Sequence, residues 1–437
     1  MKKIILSLFL LLSFNSYSLN FDTILQNIDN AYDVKKSLLE TESLTHELLM
    51  YENLGDVTFT LAPSFKANNP EDIDFIENTD ITGTLSAKIP VGYSKSELDK
   101  ISITNDAITI SKLNEEKVKL STLIKLYTQY KELWLLQTEE PVLIQELDAS
   151  KKYLELLNNK FKTGTANLMD VNKALSTKLE REDSYNQNIL KQRLAWFELM
   201  SNIALELDPE ELTDANLIIK DIPKPAEMYD WLSNSHPLVL IEQIKLTQLK
   251  NNDNRLMESD IDLSIKPFYN SPGNDISTSI NYSITNKEIT PSLSFNVPNS
   301  SENWSTGIIM SMSIGSNKTD KLAADTLKSE IKLAEESLKN TIYTLNLGVR
   351  SYYQKLRIYK ELLEQEKNNV TNAEIYHEVV LTKKDLGQIT DYELLESEAS
   401  LNRAKWKIEL AKSQYQYAWL DLLESSALYK KLPLEFK

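Results

Sequence analysis

Cysteine is absent from all 437 residues. That excludes disulfide stapling, thiol catalysis, thiolate metal sites and a lipid anchor attached through an N-terminal Cys. Histidine is nearly absent too: His46, His236 and His377 stand alone, with no metal-ligand spacing among them. They read as ordinary surface or packing residues, and no cofactor motif accompanies them. Lysine and arginine number 48 against 64 acidic residues, a formal charge of −16, which argues against a nucleic-acid partner. Beyond the first 18 residues no apolar run approaches the roughly 20 residues a spanning helix needs. If the chain crosses a membrane, it must do so as a closed β-barrel.

Proline and glycine are scarce where they would break helices. Between Ser94 and Leu207 there is one of each, Pro141 and Gly164; between Asn317 and Leu432 there is no proline, and only Gly348 and Gly387. These stretches read as very long helices, the first over 95–162, with a kink expected at Pro141. Their apolar residues step by fours and threes. Leu120, Leu123, Tyr127, Tyr130 and Trp134 form one row, and Leu338, Ile342, Leu345, Val349, Tyr352, Leu356, Tyr359 and Leu363 another. That 3.5-residue period marks a coiled-coil seam. The N-terminus, Lys2-Lys3 followed by an apolar stretch and then Ser16-Tyr17-Ser18, reads as a cleaved secretory signal over 1–18. Losing its two lysines takes the charge from −16 to −18.

Each long stretch is interrupted by the same turn. Asn159-Lys-Phe-Lys-Thr-Gly164-Thr-Ala-Asn-Leu-Met-Asp170 is matched by Thr382-Lys-Lys-Asp-Leu-Gly387-Gln-Ile-Thr-Asp-Tyr-Glu393 at an offset of 223 residues. The same offset aligns Tyr153 with Tyr376 and Ala195-Trp196 with Ala418-Trp419. A period this long indicates a duplicated helical hairpin and not a short solenoid repeat. We therefore divide the chain into a first repeat at 19–208, a Pro-containing linker at 209–236 and a second repeat at 237–437.

Segments 57–65, 81–89, 261–268, 276–284, 289–297 and 306–314 alternate apolar and polar residues in the manner of strands. Barrel strands in a membrane and ordinary soluble sheets share this period. About four such strands per chain cannot close a barrel, for which about eight is the practical minimum, so closure requires several chains. The second block is longer than a duplication needs, and part of it is expected to form a loop outside the barrel.

With its two halves, each of helix, strands, long helix, glycine turn and returning helix, the mature chain resembles the TolC-type outer-membrane efflux proteins. The most specific elements are Gly164 with Asp170-Val171 and Gly387 with Glu393-Leu394, in register with the Ala-Trp matches. The resemblance implies a mixed α+β membrane protein that forms a homotrimer. Twelve strands, four per chain, would form one outer-membrane barrel, continued as an α-helical coiled-coil tunnel in the periplasm. It implies a passive exit duct for drug efflux or type I secretion, without enzymatic activity. Its partners would be outer-membrane lipid, a periplasmic adaptor and an inner-membrane transporter.

The candidate site lies at the turns. Thr390 with Glu393, and Asn167 with Asp170, fit helix capping boxes, so capping alone accounts for both carboxylates. Glu396 lies one turn past Glu393 on the same face, where no cap requires it, and its counterpart in the first repeat is Lys173. The family's acidic pair at the periplasmic mouth falls on Glu393 and Glu396, and three copies would bring six carboxylates near one axis and attract cations. A solvated helix face is the other reading of Glu396. The family's polar links between hairpins are altered here. The aromatic position before the second glycine is Lys384, a candidate partner for Asp170, and the basic position after it is Ile389. A looser closed mouth follows. The tips, Thr163, Gly164, Thr165 and Ala166 with Leu386, Gly387, Gln388 and Ile389, are the expected adaptor contact. The competing readings are a periplasmic coiled-coil scaffold or adaptor with a soluble β domain and, with less support, an outer-membrane hydrolase, for which no nucleophile motif is present.

Overall fold

The computed structural model describes residues 19–53, 55–67, 79–205, 209–257, 260–271, 276–284, 287–297, 305–315, 318–430 and 434–435. The expected signal segment, 1–18, lies outside them. In chain order the elements are α1 (Phe21–Gln26), α2 (Tyr32–Glu52), β1 (Thr58–Ala67), β2 (Thr79–Pro90), α3 (Lys95–Lys162), α4 (Leu168–Asn202), α5 (Tyr229–Ser235), α6 (Pro237–Met257), β3 (Asp260–Asn270), β4 (Ile276–Ser283), β5 (Glu288–Val297), β6 (Ser305–Gly315), α7 (Lys318–Asp385) and α8 (Asp391–Ser425), with short 3₁₀ turns at Ile28–Asn30 and Leu428–Lys430. Helix α3 runs its full 68 residues through Pro141, and α7 has the same length. Helices α4 and α8 have 35 residues each. No helix among the described residues is long and apolar enough to cross a membrane.

Two compact units divide the chain, and each draws on both halves of the sequence. One holds the described residues of 1–38, 114–240 and 340–437; the other holds 39–113 and 241–339.

The first unit is helical. Its core is built on Trp196 and Trp419, each 1% exposed, with Tyr127, Tyr130, Phe21 and Leu126. The Phe21 ring meets Tyr127 edge-on at 5.4 Å. A buried hydroxyl needs a partner, and the tyrosines find theirs in the linker. Tyr130 donates to the Thr213 carbonyl at 2.6 Å and lies 2.8 Å from the Leu19 carbonyl. Tyr127 lies 3.1 Å from the Ala215 carbonyl and 2.9 Å from Gln416 Oε1. The linker is thereby sewn to the helices, and its Leu212, Ala215 and Leu217 are buried. The Lys131 ammonium is also buried. It rests 3.9 Å over the Trp134 ring and pairs with Asp214, while burial holds its pKa below the usual lysine value. His236 is buried with Nδ1 accepting from the Leu238 N–H, and burial lowers its pKa to about 4, so it is a neutral packing residue.

The second unit carries one antiparallel sheet of six strands in the order β1-β2-β5-β4-β3-β6. All six strand-like segments of the sequence, including the longer second block, join this one sheet. The β4–β5 hairpin keeps the same alternation as its neighbours and is hydrogen-bonded on both sides, to β3 and to β2. Register places whole rows on one face. Thr60, Ser86, Ser292, Ser279, Phe268 and Gly307 form one row across all six strands. The adjacent row is Leu61, Leu85, Leu293, Thr278, Tyr269 and Thr306. On the polar face hydroxyls pair across strands: Thr84 with Ser294 at 3.0 Å, Ser279 with Ser292 at 2.7 Å and Ser264 with Ser311 at 2.6 Å. Phe268, the aromatic exception, lies over Gly307, where an added Cβ would stand 2.9 Å from its ring.

The exposure of these faces is inverted relative to a soluble sheet. Leu61 is 68% exposed, Ile280 51%, Ile308 66% and Met310 70%. Across the middle strands Ser86, Ser279 and Ser292 are partly covered and Ser283 is buried, whereas Ser311 on the edge strand β6 is exposed. In water the large apolar face would seek cover; here it is the face left open.

Candidate functional site

Both glycine turns are built alike. Gly164 (φ 73°) and Gly387 (φ 67°) adopt the left-handed conformation that a side chain disfavours. Each closes its helix with the paired bonds of a Schellman motif. Thr165 N–H donates to the Lys160 carbonyl and Gly164 N–H to Phe161; Gln388 N–H donates to Lys383 and Gly387 N–H to Lys384. The next helix then starts on a capping box, Asn167 with Asp170 in one tip and Thr390 with Glu393 in the other. The bonds from the Thr390 backbone and hydroxyl hold the Glu393 carboxyl below its ordinary pKa. Thr163, Gly164, Thr165, Leu386, Gly387 and Gln388 are exposed, and Ala166 and Ile389 are half-buried. Leu386, Leu168 and Met169 add exposed apolar surface at 66%, 58% and 80%.

Within the chain one expected link takes a different partner. Lys384 pairs with Asp391, not with Asp170. Asp391 stands just across the turn from Lys384, whereas the Asp170 carboxylate is engaged by the Asn167 N–H of its own capping box.

Behind the tips, helices α3 and α8 are laced together by a lattice that sequence reasoning did not identify. Tyr153 and Tyr392 stack at 4.5 Å and 27°. Deeper in, the Arg403 guanidinium forks onto Glu146 through Nε (2.8 Å) and NH2 (2.9 Å) and reaches Glu139 through NH1 at 2.6 Å. Arg181 on α4 adds a second bond to Glu146 at 2.9 Å, and Asn402 donates to Gln145 at 2.6 Å. Arg403 also lies 5.2 Å from the Trp406 ring, whose N–H donates to the Leu135 carbonyl. Bidentate arginine–carboxylate pairs of this kind are among the stronger polar contacts available. At 1.5 Å per residue the lattice lies about 15 to 40 Å back from the turn.

Glu396 faces into this region. Burial, and then the neighbouring Glu396 carboxylate, push the Tyr392 hydroxyl well above the usual tyrosine pKa. With Arg181, Arg403, Glu146, Tyr153 and Tyr376, Glu396 lines a cavity of about 480 Å³. The arrangement is a set of fixed charges that clamps one hairpin to the other. It contains no nucleophile–base pair. His377 Nδ1 lies 2.9 Å from the Ser397 hydroxyl. On each helix the signal was a heptad row, Glu139, Glu146 and Tyr153 on α3 and Glu396 and Arg403 on α8.

No protein-family model and no curated protein matches the chain. Solved structures do match. The Campylobacter jejuni CmeC outer membrane channel superposes with a TM-score of 0.63 at 14% identity, over 92% of this chain and 84% of that one. The open-state Neisseria gonorrhoeae MtrE outer membrane channel gives 0.61 at 12% identity, over 92% and 88%. Its fold is that of the outer-membrane channels. The outer membrane protein VceC from Vibrio cholerae agrees, with a TM-score of 0.64 at 12% identity over 93% of this chain and 96% of that one. At such identities the likeness is one of fold, so the lattice and the tip chemistry are read from this chain's own residues.

Proposed function

We propose that three copies of this chain form an exit duct in an outer membrane, with the strands as a shared barrel and the long helices as a periplasmic tunnel. The duct passively conducts drugs or other cargo delivered by an inner-membrane transporter, and the exposed tips dock on a periplasmic adaptor. The observation that carries this reading is the inversion across the middle of the sheet: an apolar face left open beside a partly covered row of hydroxyls suits lipid outside and water inside. A scaffold with a soluble β domain would bury that apolar face instead. Trimer formation is supported by the exposed stripe Leu190, Leu194 and Phe197 on α4 (58%, 60% and 66%), which has helical spacing and needs a neighbour. Docking is supported by the exposed apolar residues at the tips.

Duplication of one hairpin is supported by the matched helix lengths and by a second pair of positions. Ala204 (φ 51°) and Ala427 (φ 52°), both in the left-handed region, follow α4 and α8 at the same offset as the glycines.

Glu393 and Glu396 are proposed as the cation-selective ring at the mouth, and the Arg403 lattice as the element that keeps the mouth closed. In planar bilayers the purified protein should form cation-preferring pores, and the double variant Glu393→Ala, Glu396→Ala should lose that preference. Unchanged selectivity removes the ring from the account, and the absence of any pore removes the duct.

A further inference from the structure

The order of the six strands bears on the size of the pore. The β4–β5 hairpin is not appended at an edge. It occupies the middle of the sheet, so β2 meets β3 only through it. Eight residue pairs join β2 to β5 and five join β3 to β4. A wall of four strands per chain would have to break both ladders and pair β2 directly with β3. The hairpin also shares the facing of the rest: Ile280 and Leu293 lie open at 51% and 40%, while Ser279 and Ser292 are partly covered on the other face.

Among the described residues the two outer strands, β1 and β6, each have a neighbour on one side only. Every pairing in the sheet is antiparallel and the strand number is even, so β1 and β6 run in opposite directions. The β6 edge of one copy therefore meets the β1 edge of the next as a further antiparallel pair, with the apolar faces continuous across the junction. A single sheet with two long open edges is unstable against such pairing, and ring closure is what removes the edges.

We infer that each copy contributes all six strands, so that the partner seated on each edge is a second copy of this chain and the trimer closes an eighteen-stranded barrel. This inference rests on the trimeric duct reading and deepens it. Strand spacing near 4.8 Å and a tilt of about 40° give a backbone diameter of about 36 Å, against about 24 Å for twelve strands. Barrels of this strand number hold an open aqueous channel. The wall facing it here is lined largely by Ser, Thr and Asn hydroxyls and amides, with Lys88 and Glu288 paired at 2.9 Å, so the lumen suits bulky polar cargo of either charge.

The absence of cysteine allows a direct test. Single cysteines at Leu61, Ile308, Ile280 and Leu293, with Ser279→Cys as the inward control, are labelled with a bimane fluorophore. The purified full chain is then placed in nanodiscs of phosphatidylcholine with brominated acyl chains. The inference predicts quenching at positions 280 and 293 within a factor of about two of that at 61 and 308, and little at 279, because only the outer face of a barrel wall meets acyl chains. Quenching at 61 and 308 with none at 280 and 293 overturns the inference while leaving a twelve-stranded duct standing. No quenching at any position overturns both the inference and the duct.

Discussion

Replacing Arg403 with alanine is expected to raise the single-channel conductance of the proposed duct at rest several-fold. Arg403 is the hub at which Glu139, Glu146 and Trp406 meet, and its side chain is 20% exposed, with Glu139 at 20% and Glu146 at 11%. Removing one partner of a buried ion pair costs about 3–5 kcal/mol. Partial exposure lowers this to about 2–4 kcal/mol here, because solvent screens part of the charge left behind. The loss falls on contacts between α3 and α8, which belong to different hairpins, so it loosens the clamp and leaves each hairpin's own turn intact. Lysine at the same position keeps the charge but not the fork, and should give an intermediate conductance. Planar-bilayer recordings of the three proteins check this, and equal conductances would separate the lattice from closure. Because Lys384 pairs with Asp391 within its own exposed turn, Lys384→Ala should change conductance far less than Arg403→Ala.

The second large effect concerns the sheet. Leu85 sits mid-strand in β2 between Leu61 and Leu293, on the open apolar face. Arginine there should cost about 2–4 kcal/mol if that face meets acyl chains at mid-membrane. Ser86→Arg, one residue along and facing inward, should stay within about 0.5 kcal/mol, as for a solvated surface position. A soluble β domain predicts no such contrast, since Leu85 is already 44% exposed and an arginine there would be hydrated. Denaturant titration of both variants refolded into phosphatidylcholine vesicles measures the difference. Equal stabilities would refute the lipid-facing assignment.

These two sites also mark how far the sequence could be read. Strand identity was legible because alternation is local: all six segments, from 57–65 to 306–314, are strands. The tips were legible for the same reason. Gly164 and Gly387 take the left-handed turn, and Asn167 with Asp170 and Thr390 with Glu393 cap the helices that follow. Trp196 and Trp419, aligned by the repeat, both proved to be buried core.

What the sequence did not carry was pairing over distance. Nothing in β2 or β5 announces that Leu85 will face Leu293, two hundred residues on, so alternation alone left open which strands of the second block join the sheet. The lattice was hidden in the same way. Glu139, Glu146 and Arg403 each lie on visible heptad rows, but their meeting depends on how α3 and α8 pair along their length, as in the Tyr127–Gln416 and Tyr417–Thr128 bonds, and no local motif carries that. Lys384 failed for a different reason. Its partner was inferred by likeness from the opposite hairpin, when the nearer carboxylate of Asp391 lay just across its own turn.

The central claim is that one chain is an incomplete wall and that copies complete it. The mass of the detergent-solubilised protein, measured by light scattering after chromatography with the detergent contribution subtracted, tests this most directly. The account predicts a single species of three chain masses. A stable, monodisperse species of one chain mass would contradict it.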